Sequence, residues 1–89
     1  MKIREGFIAR DVGNKTFVVA VGELSKRFNV MITLNETGKA IWQAMQTEIT
    51  VDEIVEKLLS EFEGADKELV KKDVNAFVNK LDEANILEK

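Results

Sequence analysis

Hydrophobic positions change their spacing once along this chain. Up to about residue 34 they follow a period near two, and beyond it they recur every three to four residues. The first part predicts strands. Phe7-Ile8-Ala9-Arg10-Asp11-Val12 reads as one, and Thr16-Phe17-Val18-Val19-Ala20-Val21, β-branched and aromatic, as a stronger one. Gly13-Asn14 between them suits a tight hairpin. Gly22 to Arg27 reads as a loop. A third strand starts at Phe28. It places Phe28, Val30, Ile32 and Leu34 on one face and Asn29, Met31 and Thr33 on the other.

The second part predicts three helices. The first runs from about Glu36 to Met45, capped by Asn35 or by a Thr33-x-x-Glu36 box. Ile41, Ala44 and Met45 form its apolar stripe, and Trp42 flanks it. The second has the clearest start: Thr50 caps, Glu53 closes the box, and Ile49 staples to Ile54. Ile54, Val55, Leu58, Leu59 and Phe62 are its buried face, and Glu63-Gly64 ends it. The third runs from about Lys67 to Ala84, with Val70, Val74, Phe77, Val78, Leu81 and Ala84 on one side. Asn85 is a left-handed stop after which Ile86-Leu87 fold back on the helix.

The order is βββααα within one domain, residues 1–89. This is an α+β fold: a three-stranded antiparallel sheet followed by three helices. Three strands cannot bury an apolar face alone, so the helices must pack on it. Helices two and three beside a small sheet resemble a winged helix-turn-helix. Connections are short, with no linker, repeat or low-complexity segment.

Composition narrows the chemistry. At 89 residues the chain has room for one thin core. Histidine and cysteine are absent, which removes disulfides, thiol and imidazole catalysis, and the usual zinc and haem ligand sets. Hydrophobic residues are 45% and charged ones 33%, which suits a folded domain. No apolar run approaches the roughly 20 residues that span a bilayer. Met1 to Gly6 has no apolar core of the signal-peptide kind. A cytoplasmic protein with no membrane partner is expected.

A catalytic constellation is not found. Ser25-Lys26 sit together in a loop without a supporting element, and Glu36, Glu53, Glu56 and Asp73 read as solvated helix carboxylates. The five glycines are isolated, so no phosphate-cradling loop exists. Glu61-Phe62-Glu63-Gly64-Ala65-Asp66 lacks calcium-loop spacing. The expectation is a protein that is not an enzyme and takes no cofactor and no metal.

Binding remains, on one of two surfaces. Charge is uneven: residues 1–47 net +3 and residues 48–89 net −6, for −3 in all. A winged-helix regulator would read DNA with helix three. That segment, from Asp66 to Glu83, has four lysines against five acids and no arginine for guanine. No nucleic-acid partner is therefore expected, and DNA binding is the alternative reading. The other surface is the third strand. Phe28 to Leu34 contains no charge or proline to blunt an exposed edge. An extended peptide can add there as another strand. Val30 and Ile32 with Val70, Val74 and Val78 would form its apolar groove, rimmed by Lys26, Arg27, Lys71 and Lys72 for an acidic peptide. Equally, the chain's own N-terminus or a symmetric dimer would close the same edge.

Ile32-Thr33-Leu34-Asn35-Glu36-Thr37-Gly38-Lys39-Ala40-Ile41-Trp42 resembles the signature of PqqD-like proteins. Thr50 to Leu58 and Asp73 to Leu81 continue the resemblance, which covers roughly residues 5–88. It implies a RiPP recognition element: a non-catalytic chaperone that captures the leader of a ribosomally made precursor peptide and delivers it to a modifying enzyme. In the family the leader adds antiparallel to the third strand, against the third helix. Carried over, the contacts are Asn29, Val30, Met31, Ile32 and Thr33, and Val70, Lys71, Val74, Asn75 and Val78. Charge placed at Val74 is then expected to abolish binding and spare the fold. Two departures stand out. Gly22-Glu23-Leu24-Ser25 replaces the proline- and glycine-containing turn of members devoted to pyrroloquinoline quinone assembly. Gln46-Thr47-Glu48 also lacks the glycine often found between the first two helices. Both point to the broader group, whose stand-alone members serve radical SAM maturases or other peptide-modifying enzymes. A monomer or weak dimer is expected.

The charge balance makes one direct prediction. Mixed-sequence duplex DNA should not bind at about 50 mM salt. Binding with a steep negative slope of log affinity against log salt would restore the regulator reading.

Overall fold

The computed structural model describes residues 1–26 and 32–88. Phe28 to Met31 of the expected third strand, and Arg27, lie outside the described residues. The strands are β1 (Lys2–Ile3), β2 (Phe7–Val12), β3 (Lys15–Ala20), β4 (Ile32–Leu34) and β5 (Leu87–Glu88). The helices are α1 (Glu36–Ala44), α2 (Val51–Glu61) and α3 (Lys67–Glu83), with a 3-10 turn at Gly22–Lys26. Strands β2, β3 and β4 form an antiparallel sheet in that order. The α+β fold with a three-stranded sheet followed by three helices is as expected.

The pairing of Val12 with Lys15 leaves Gly13-Asn14 as a two-residue turn. Gly13 supplies the positive φ, +64°, that a turn matching the strand twist needs. One face of the sheet turns to the helices: Phe7, Val18, Ile32 and Leu34 are buried. Against them pack Ile41, Trp42 and Met45 from α1 and its end, Ile54 and Leu58 from α2, and Val74 and Leu81 from α3. Trp42, read from the sequence as flanking the α1 stripe, is in this core at 5% exposure.

Each helix begins as its sequence dictates. The Asn35 side chain accepts from the Gly38 amide at 2.8 Å. Thr50 and Glu53 form the reciprocal box, and the Asp66 carboxylate accepts from the Glu68 amide. The stop after α3 also forms. Asn85 takes φ +61°, the Asn85 amide donates to the Asp82 carbonyl, and the Ile86 amide donates to the Leu81 carbonyl at 3.0 Å. That bond pair is a Schellman motif.

Two elements, the strands of a second small sheet, were not foreseen. β1 pairs antiparallel with β5, Lys2 opposite Glu88 and Ile3 opposite Leu87. The Ile3 amide also donates to the Met45 carbonyl at 2.9 Å, and the Arg4 amide to the Ile86 carbonyl at 2.7 Å. Ile3, Ile86 and Leu87 are thereby buried. Two-residue strands carry no periodicity to read, and their pairing depends on where α1 and α3 end.

Two stability predictions follow from this packing. Ile3→Ala should cost about 2–4 kcal/mol in urea unfolding, because it leaves a cavity beneath the β1–β5 pair. Thr50→Ala should cost about 1 kcal/mol through the lost cap. A change below about 0.5 kcal/mol for Ile3→Ala would show that the terminal pair does not hold the core.

Candidate functional site

A strand offers hydrogen-bonding groups on two sides. β4 pairs with β3 on one of them, Phe17 opposite Thr33 and Val18 opposite Ile32. Among the described residues nothing pairs with its other side. The N-terminal segment does not close it, because β1 is committed to β5. Ile32 and Leu34 point inward and are buried, and Thr33 points outward and is exposed.

Beside the end of β4 lies an open groove of about 320 Å³. Its first wall is the β4–α1 junction: Asn35, Thr37, Gly38 and Ile41. Its second wall is one flank of α3: Asp73, Ala76, Phe77 and Lys80. Gly38 sets the spacing between the walls. A Cβ there would lie 3.3 Å from both the Phe77 ring and the Asn35 side-chain oxygen, so each would have to give by a few tenths of an ångström. The Asn35 side-chain oxygen is occupied as the α1 cap. The groove lining is mixed polar and apolar, and its α3 rim carries one acid and one base rather than a uniform positive charge.

The residues expected from sequence divide into several sets. Asn29, Val30 and Met31 lie outside the described residues. Ile32 and Thr33 are on the free-edged strand. Val70 and Val78 are half-buried against the core, and Lys71 and Asn75 are exposed. At about 100° per residue, Asn75 points roughly 160° round the helix from Phe77, and Lys71 roughly 120°. Neither shares the flank that lines the groove. Val74 has 0% exposure. The expectation that charge at Val74 spares the fold is corrected here: an ion would sit unpaired in the core, so the domain would unfold.

Sequence reasoning missed Asp73, Ala76 and Lys80 as groove residues, and gave Phe77 only a core role. Helical spacing finds the buried stripe but not which of its two borders faces the sheet. The available signal was Gly38, a small residue in the first turn of α1, where α3 passes close by. Lys26, Lys71 and Lys72 are exposed, but none of them lines this groove, so the expected basic rim is not assembled there. Among the described residues, no group of three or more acidic side chains is gathered so as to hold a metal ion. No described helix is long and apolar enough to cross a membrane.

Comparison with known proteins bears on the fold and the family. No curated protein sequence matches the chain. A solved structure of TbiB1 in complex with the TbiA(beta) leader peptide superposes with a TM-score of 0.76 at 20% identity. It covers 99% of this chain and 95% of that one. The two share a fold. The family model for coenzyme PQQ synthesis protein D (PqqD) matches residues 15–87, from the start of β3 into β5. That span holds the free-edged strand, all three helices and both groove walls, and the chain belongs to the PqqD family.

Proposed function

We propose that this domain captures the leader of a ribosomally made precursor peptide and presents the peptide to a modifying enzyme. The observation that carries this reading is the unpaired side of β4 beside the groove between the β4–α1 junction and α3. Backbone groups on a free strand edge recognise any extended peptide, and pockets for alternate side chains select among them. Family membership supports the reading, as does the leader peptide in the TbiB1 complex of the same fold.

The peptide lies antiparallel to β4 and the residues before it, Asn29 to Thr33. Its inward side chains enter the groove over Gly38 and Phe77, and Asp73 and Lys80 supply opposite charges at the rim. Val70 and Val78 support the helix from the core side, and Val74 anchors it. The domain itself performs no chemistry. The enzyme served is a peptide-modifying one, in the first instance a radical SAM maturase, and the working form is a monomer or weak dimer.

The test uses the leader of the precursor peptide encoded beside this protein. Single backbone N-methylations along that leader should weaken binding at every second position, because only alternate amides face β4. Loss without a two-residue period would contradict strand addition. Ala76→Arg, on the exposed groove flank, should lower leader affinity about tenfold or more and leave the unfolding midpoint unchanged. Asn75→Arg, on the opposite flank, should leave affinity within about twofold. The reverse result would move the groove to the side of α3 that carries Lys71 and Asn75.

A further inference from the structure

We propose that the outer face of the β2–β3–β4 sheet is a docking surface for a folded protein whose own contact face is apolar and rimmed by carboxylates. Resting on the function proposed above, that protein is the modifying enzyme.

Strand register fixes which side chains share this face. Ile8 stands opposite Val19, Arg10 opposite Phe17, and Val12 opposite Lys15, with Thr33 beyond Phe17 on β4. A half-buried antiparallel sheet ordinarily puts polar residues outward. Here four of the seven outward residues are apolar. Val12 is 59% exposed and Ile8 39%, the helices cover neither, and Phe17 and Val19 beside them are only half-buried. Ile8 beside Val19, and Val12 diagonal to Phe17, thus put apolar side chains on both sides of Arg10 on a face that is ordinarily polar, as at an interaction site.

Charge decides between occupants. Arg10 and Lys15 are exposed on the patch and make no ion pair among the described residues. The hairpin's acid, Asp11, points to the opposite face, where it accepts from the Thr16 hydroxyl at 2.5 Å. The outer face of these strands thus holds two cations and no anion. A symmetric second copy would bring Arg10 and Lys15 against the same cations, an arrangement that costs rather than stabilises. An acid-rimmed partner meets both the apolar strip and the charge. The face is also perpendicular to the β4 edge, so a docked protein leaves the peptide's hydrogen-bonding side open. It meets the outward side chains of a captured strand.

The experiment titrates the purified modifying enzyme encoded beside this protein into the full-length domain. It compares wild type, the Ile8→Thr/Val12→Thr pair, which keeps β-branched side chains, and the charge reversal Arg10→Glu, all at exposed positions. Leader affinity is measured on the same three proteins. Enzyme affinity should fall about tenfold in each variant while leader affinity stays within about twofold. Wild-type affinity for the enzyme should weaken between about 50 mM and about 300 mM salt. Enzyme affinity unchanged in both variants, or no enzyme binding by wild type, overturns the docking face. So does a wild-type dimer in sedimentation that Ile8→Thr/Val12→Thr breaks, since the face would then join copies of this chain. Enzyme binding is read without leader. A wild type that binds enzyme but not leader therefore overturns the capture function, and the docking face is still judged by its own variants.

Discussion

The pairing of Lys2–Ile3 with Leu87–Glu88 decides what the rest of this molecule can do. It ties the two ends of the described chain together over the end of α1, through the Ile3–Met45 and Arg4–Ile86 bonds. The N-terminal strand, paired with β5, is not available to complete the ladder on β4. Held at the far end of α3, it leaves that ladder half made. Among the described residues one side of β4 is left unpaired, where proteins usually blunt such an edge with charge, proline or cover. Strand addition by a peptide is the proposed reason.

The same pairing positions the second wall of the groove. Ile86 and Leu87 can reach the core only because Asn85 turns the chain back at the end of α3. That turn anchors the helix at Leu81, and Val74 anchors it two turns earlier. Between these fixed points Phe77 is carried over Gly38, and Ala76 and Lys80 fall on the open side. The position of the groove's α3 wall therefore rests on buried residues that do not line the groove. As proposed above, one small sheet divides two tasks: the β4 edge for an extended segment, and the outward face of Ile8, Arg10 and Val12 for a folded surface.

Much of this was legible in the residues. The change of hydrophobic period at Leu34, the Gly13-Asn14 turn, the Thr50–Glu53 box and the Asn85 stop are local signals with local causes, and each element forms where those signals put it. The free edge was legible as a strand without gatekeepers, but its alternative closure by the N-terminus was resolved only by the β1–β5 pair. The groove was half legible. Periodicity identified the buried stripe of α3, yet Lys71, Asn75 and Lys80 look alike as exposed polar positions until the helix is oriented against α1. Val74 shows the converse limit: its place in the stripe suggested a groove wall, and the depth of packing makes it core.

The most direct test of the central claim is a heteronuclear NMR study of the labelled domain with its neighbouring leader peptide, read through intermolecular backbone contacts. Cross-strand contacts between leader amides and Ile32 to Leu34, with shifts along Asp73, Phe77 and Lys80, are the predicted result. A leader that binds with its contacts confined to α2 or the β2 edge would contradict it.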